Sequence, residues 1–375
     1  MNESREIKKI YRICLLLFAT TTLFGCVEFC IVLGDVYIGT LLSILFSYTF
    51  TRFALMFLWG SRTLGERIFT DESQMLRKVV AGCYLIPVLL CVVFLILNKL
   101  GLYNEPTINL TFPIQRKAIM MLYMTVLWIP GYLSGRKELS NRESLIAIVI
   151  ALVPIVLALA FLRLIIAGTI AAVTLIMFTF ASREHRIKWY WVALLWFIIV
   201  LILAIVVLGY PIRELVGRIN SILTGGASSP YTYGYQQQKL IRALPYTKLV
   251  GTADLDSSMQ LFPFYYDVYE DLPAEVLVGL GWIPLIVFVG VYVAQIVMLF
   301  RLARKVYFVQ SRYSAILAAV YLLVRSAIGL LSPFLLHIGG TIMPFTGTWF
   351  CFIPDSLVCM GVINFIRFKE NDLSI

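Results

Sequence analysis

Between Phe262 and Leu277 the chain reads FPFYYDVYEDLPAEVL, with Asp267, Glu270, Asp271 and Glu275 set among aromatics and two prolines. Directly after it comes VGLGWIPLIVFVGVYVAQIVMLF, a run without charge. Carboxylates can bind hard cations through oxygen or move protons as general acids and bases. Gathered where a chain enters an apolar run, they fit three roles: a solvated rim, a cation site or a catalytic site. Arg213, Arg218, Lys239, Arg242 and Lys248 lie just upstream and bring positive charge to the same segment. Their plain role is contact with lipid headgroups.

A second set of ionisable residues falls inside apolar runs: Glu28, Arg52, Arg163, Arg325 and Asp355. A charge at the bilayer centre costs roughly 2.5–3.5 kcal/mol on insertion scales, so such groups should face the protein interior or a wet cavity. Arg52 and Arg163 can snorkel or sit at span ends. Arg325 is expected to pair with an acid, Asp355 or Glu28. The plain role of such a pair is to lock the bundle without chemistry. Gly and Pro cluster in IPGY at 129–132, SPFLLHIGG at 332–340 and MPFTG at 343–347. They either end spans or leave irregular backbone lining a cavity, where freed backbone groups need new partners.

The elements that must position these residues follow from composition. The 375 residues are 60% hydrophobic and 14% charged, with mean hydropathy +0.88. That is too apolar for a soluble chain of this length. An all-α polytopic membrane bundle is expected, one integral membrane domain over 1–375. About ten spans of the needed ~20 residues can be drawn, roughly 11–34, 37–59, 79–98, 117–135, 145–162, 164–181, 190–210, 277–300, 315–336 and 350–367. Residues 145–181 are too long for one span and right for two joined by a tight turn near Arg163. The first apolar run is long enough to span, with no signal-peptide cleavage site after it.

Most Lys and Arg fall in the N-tail, the even-numbered loops and the C-tail, whereas the short loops opposite hold Lys99, Arg116, Lys117 and Arg163. Both termini are therefore expected in the cytoplasm. The long loop 211–276, between the seventh and eighth spans, then faces outward. It contains amphipathic stretches that can fold back over the bundle. The net charge of +10 is spread over short loops and gives no nucleic-acid patch. The seven cysteines lie in apolar runs without a CxxC pair, and the two histidines, His185 and His337, are far apart. Core packing accounts for the cysteines, and no His or Cys metal centre is expected.

Local text then resembles the SEDS family of shape, elongation, division and sporulation proteins (FtsW, RodA and SpoVE). RINSIL at 218–223 followed by YGYQ at 233–236 is similar to R-I-x-x-x-L … S-G-Y-Q of that family. With Gly234-Tyr235-Gln236 set on its G-Y-Q, an ungapped register brings Val250-Gly251 onto F-G and Leu261 onto the leucine before L-P-E. It also brings Gly281-Trp282-Ile283 onto G-F-I and Glu270 onto the aspartate of H-T-D. TFPIQ at 111–115, AGTIAAVTLIMFTFAS at 167–182 and GGTIMPFTGTWF at 339–350 match more loosely. Departures are equally specific. Ala167 stands where the family has an acid before Gly-Thr, Arg116-Lys117-Ala118 replaces P-S-E, and the closing Y-G-G-S-S is not kept.

The resemblance implies a peptidoglycan glycosyltransferase in the bacterial cytoplasmic membrane, polymerising lipid II at the outer face. It implies Glu270 as the base, with Asp271 and Asp267 as competitors. It further implies substrate contacts from Arg213, Arg218, Gln236, Lys239, Arg242 and Lys248. The charge balancing the leaving pyrophosphate is either a divalent cation or these Arg and Lys residues; the metal is unknown. A class B penicillin-binding protein, a transpeptidase, is the implied partner, alongside membrane lipids. Three alternatives stay open beside it. One is a non-catalytic scaffold or lipid II-binding relative, and another a transporter or flippase of a lipid-linked substrate. A third, a different polyprenyl-linked glycan polymerase or ligase, shares the same outline.

Overall fold

The computed structural model describes residues 6, 8–21, 74–102, 114–161, 163–209, 240, 242–251, 253, 272–335, 343–345 and 349–371. They are helical almost throughout. Helix α1 runs through residues 8–21, α2 is Gln74–Lys99 and α3 is Ile114–Met120. A 3-10 stretch, Met121–Leu127, carries α3 into α4, Trp128–Ser134. Then follow α5 (Asn141–Ala160), α6 (Leu164–Arg183) and α7 (Trp189–Gly209). After a 3-10 turn at Leu244–Tyr246 come α8 (Leu272–Leu280), α9 (Trp282–Lys305) and α10 (Val309–Leu335). The final described helix is interrupted: α11 (Trp349–Ser356), a π turn (Leu357–Gly361) and α12 (Val362–Asn371).

Five of these helices are long and apolar enough to cross a membrane: Leu76–Lys99, Asn141–Ala160, Leu164–Arg183, Trp282–Lys305 and Val309–Leu331. The protein is thus an all-α polytopic membrane protein. Helices α5 and α6 divide the long apolar run at 161–163, where the two-span reading puts the turn, and Arg163 stands at the start of α6. The run drawn from 277 differs. Gly281 breaks it, so a short helix, α8, precedes the long α9. The IPGY segment does not end a span either; Pro130 and Gly131 lie inside α4. Pro130 lacks a donor just where hydrogen bonding changes from 3-10 to α, so little is lost there. Seen as sequence, 37–59 lies outside the described residues.

Helix α10 is the hub, packed against α4, α6, α9 and α12. Its most apolar window is 67% buried, against 11% for α2, which leaves α2 with side chains such as Leu85, Ile86 and Leu89 on the outside. Lipid is as apolar as these side chains, so burial here does not come from expulsion of water between helices. Close packing and polar links hold the bundle instead. Tyr84 donates to the carbonyl of Ile150 at 2.8 Å and ties α2 to α5. Gln295 of α9, 1% exposed, donates to the carbonyl of Leu17 at 2.9 Å and to Thr21 of α1.

At the end of the bundle that carries both tails, loops are short and cross-braced. Ser140 caps α5 in a reciprocal capping box with Glu143. Arg186 donates to the carbonyl of Arg136 at 2.8 Å, and Leu139 donates to the carbonyl of Arg186 at 2.8 Å. Glu184 receives Arg312, and Tyr313 donates to its other oxygen at 3.0 Å. Glu370 of α12 accepts the N–H groups of Tyr307 and Phe308 at 3.0 and 3.1 Å, joining the last helix to the α9–α10 turn.

Candidate functional site

The structure builds two polar constructions away from the tails. The first is a backbone bracket at the entry to α9. Gly281 holds φ 98° and ψ −176°, a conformation essentially restricted to glycine. This lets the chain turn from α8 into α9 while the segment 247–253 lies alongside. Gly251 donates to the carbonyl of Leu280 and Ala253 to that of Val278, both at 2.8 Å. In return, Trp282 and Ile283 donate to the carbonyls of Lys248 and Leu249 at 3.1 and 3.0 Å. The first N–H groups of α9, orphaned by helix geometry, thereby gain partners. The indole N–H of Trp282 adds a bond to the Thr247 hydroxyl at 2.9 Å.

This bracket joins two pieces that the sequence register placed on separate family motifs, Val250-Gly251 and Gly281-Trp282-Ile283. Of the basic residues named from sequence, Arg242 lies exposed before the 3-10 turn, and Lys248 is an exposed member of the bracket. Glu270, Asp271, Asp267, Arg213, Arg218, Gln236, Lys239 and Glu28 lie outside the described residues.

The second construction is a buried ion pair. Arg325 of α10, 5% exposed, reaches Asp355 of α11, which is 0% exposed. Arg325 Nη2 donates to Asp355 Oδ1 and Oδ2 at 3.3 and 3.1 Å. Tyr321, one turn before Arg325 on the same helix face, donates to Oδ1 at 2.5 Å. The backbone N–H of Phe345 donates to Oδ2 at 3.0 Å. The guanidinium lies over the Tyr123 ring, 4.2 Å from its centre, a cation–π placement in an apolar setting. Asp355, one of the two acids expected to meet Arg325, does so; Glu28 lies outside the described residues.

Tyr321 was within reach of sequence reasoning, since it stands four residues before Arg325. The backbone amide of Phe345 and the ring of Tyr123 gave no such signal. Met343, Pro344 and Phe345 form buried non-helical backbone. Tyr292 of α9 donates to the carbonyl of Pro344 at 2.6 Å, which supplies the partner that such backbone needs away from water. The Phe345 ring packs on Phe18 and Phe352.

Among the described residues, no group of three or more His, Cys, Asp and Glu is placed to hold a metal ion. Cys14, Cys91 and Cys359 are buried in the core.

Comparison with solved structures identifies the architecture. A chain from a peptidoglycan synthase complex, described as coordinating polymerization and crosslinking, superposes with a TM-score of 0.59 at 16% identity. The match covers 95% of this chain and 97% of that one. The rod shape determining protein RodA of Thermus thermophilus superposes at 0.52 with 13% identity, covering 95% of this chain and 96% of its own. A single-substitution variant of the same RodA gives 0.52 and 13% as well. The fold is that of RodA. The match spans nearly the whole of both chains, so the likeness is one of overall fold and not of a shared fragment. No protein-family model and no curated protein sequence matches the chain. The likeness to solved structures is therefore carried by three-dimensional arrangement, at 13–16% identity.

Proposed function

We propose that this protein polymerises lipid II at the outer face of the cytoplasmic membrane, as a divergent relative of the SEDS glycosyltransferases. One observation carries the reading: the bracket that bonds Gly251 to Leu280 and Trp282 to Lys248. It pairs the segments that the ungapped loop register sets on the family's F-G and G-F-I, and the same register sets Glu270 on the family's aspartate. The RodA fold supports it, as does the likeness to a chain of a complex that couples polymerization with crosslinking.

In this reading about ten spans cross the membrane, both termini are cytoplasmic and loop 211–276 is external. A hydroxyl of one disaccharide attacks the anomeric carbon of another. The new glycosidic C–O bond forms as the bond to pyrophosphate breaks, and the pyrophosphate leaves with the electron pair. Glu270, with Asp271 and Asp267 close in sequence, takes the hydroxyl proton. Arg213, Arg218, Lys239, Arg242 and Lys248, or a divalent cation, balance the pyrophosphate. Gln236 contributes to substrate binding. A class B penicillin-binding protein is the expected partner type.

The test is lipid II polymerisation by purified protein with and without such a partner. Wild type should build glycan chains, and Glu270→Gln and Asp271→Asn together should abolish them. Full activity in both single variants would remove these carboxylates from the site. Absence of activity in wild type with partner present would overturn the enzyme reading. A second reading, a lipid II-binding scaffold without turnover, is favoured by one feature. Ala167, fully buried in α6, stands where the family carries an acid. Lipid II binding without polymerisation is its signature.

A further inference from the structure

Three uncommon backbone conformations meet at the Arg325–Asp355 pair. Phe345 is in the left-handed region at φ 66°, an outlier for a bulky residue. Its N–H is bound by Asp355 at 3.0 Å. The π turn Leu357–Gly361 begins two residues after Asp355 and directly follows Ser356. The 3-10 stretch Met121–Leu127 carries Tyr123, whose ring lies beneath Arg325. Strained backbone and mid-helix 3-10 or π geometry persist only where surrounding contacts hold them, and they concentrate at hinges and switches.

The π turn has a definite geometric meaning. It contains one residue more than an α-helix over the same rise. While it stands, Asp355 faces Arg325. If it relaxes to α-helix in the same sequence, the preceding helix turns by about 100° relative to the following one. Asp355 would then swing off Arg325, and Phe345 would lose the acceptor that holds its left-handed amide. The contacts are mutually dependent: one carboxylate binds α10 through Arg325 and Tyr321, and the non-helical segment through Phe345.

We propose that Asp355 is the catch of a two-register hinge in the last helix. Closed, the π turn and the 343–345 segment are held against α10. Open, α11 rotates about the π turn and releases that segment. Tight side-chain packing makes such a device bistable instead of continuously deformable. The hinge needs no lipid II chemistry to operate.

The experiment is amide hydrogen exchange on the full chain in lipid nanodiscs. Asp355→Asn keeps the carbonyl oxygen for Phe345 and removes the charge. It should raise exchange at Met343, Phe345 and 357–361 at least tenfold and leave α6 and α9 at wild-type rates. Deletion of Gly361 takes out the extra residue without removing a side chain, leaving a continuous α-helix with Asp355 still facing Arg325. In that background Asp355→Asn should no longer raise exchange. Tyr321→Phe removes one bond to the carboxylate and keeps the ion pair; it should give the same pattern at smaller amplitude even if Asp355→Asn fails to fold. Wild-type rates at Met343, Phe345 and 357–361 in Tyr321→Phe and Asp355→Asn would overturn the hinge. So would an equal rise across all helices, or an undiminished effect of Asp355→Asn in the deletion background.

Discussion

A Cβ atom placed on Gly281 would stand 2.7 Å from the carbonyl oxygen of Lys248 and 2.8 Å from that of Leu249. Both are backbone atoms that already accept the first N–H groups of α9. No side-chain rotation relieves the clash, and φ 98° is itself strained for any residue with a Cβ. Gly281→Ala should therefore open the bracket at a cost of about 1–3 kcal/mol from backbone strain alone. Limited proteolysis between 247 and 253 should speed up in the variant, with α10 protected as in wild type. Gly279→Ala is the control, because nothing lies within 4 Å of its added Cβ. An unchanged cleavage rate in Gly281→Ala would show that the bracket tolerates a side chain.

Much of this fold is legible as length and hydropathy. The ends of α6 and α7 and the C-terminal end of α5 follow, to within two residues, from apolar runs and from the arginine set between two of them; the start of α5 is set instead by the Ser140 cap, ahead of the apolar run. The meeting of Arg325 with Asp355 follows from the cost of leaving either charge alone in lipid. What resists reading is backbone that departs from α geometry. The 3-10 stretch under Tyr123, the π turn after Asp355 and the Gly281 break inside an uncharged run leave hydropathy unchanged, because side-chain polarity does not report hydrogen-bond register. The break that splits the eighth apolar run into α8 and α9 is set by contact with residues 248–253, far back in the chain. The acidic stretch around Glu270 was legible as chemistry, but its role rests on the register of the loop.

The ion pair yields a graded stability series. Asp355→Leu leaves the Arg325 guanidinium buried at 5% exposure with no counter-charge from that carboxylate. Removing one partner of a buried pair typically costs about 3–5 kcal/mol, whereas replacing both by apolar residues of similar volume is near neutral or better. The expectation is a large loss for Asp355→Leu and for Arg325→Met, and recovery of only the part due to the unpaired charge in the double variant, because the Tyr321 hydroxyl and the Phe345 amide still lose their acceptor. Thermal unfolding in one detergent, followed by tryptophan fluorescence, reads the series. Additive losses in the double variant would mean that the two residues act independently.

Gly329 tests the seat of the non-helical segment. Its added Cβ would lie 2.5 Å from Met343 Sδ and 3.4 Å from Met343 Cα. The sulfur can move, but the backbone of Met343 is pinned by the neighbouring Pro344 carbonyl, which accepts from Tyr292 at 2.6 Å. Overpacking of this kind costs about 1–3 kcal/mol. Gly329→Ala should lower the unfolding midpoint, and adding Met343→Ala should restore part of the loss by making room. If Met343→Ala deepens the loss instead, Gly329 is not seated against that side chain.

Glu370 gives a pH dependence of defined sign. Burial raises its pKa above the ordinary 4.5, although the Phe308 N–H, Ser311 and Lys369 each act in the opposite direction. The folded state thus holds the proton more tightly than the unfolded state. Its contribution to stability is fully present below the unfolded value and is lost as pH rises through the folded one. Glu370→Gln removes the titration and keeps one of the two oxygens that accept the amides of Tyr307 and Phe308; the other becomes an NH2 group that cannot accept. Relative to this variant, wild type should do best below pH 4.5 and lose ground as pH rises above it, then run parallel once the carboxyl is fully ionised. A wild type that gains on the variant with rising pH would show that the amide bonds outweigh burial and that the carboxylate is stabilised where it sits.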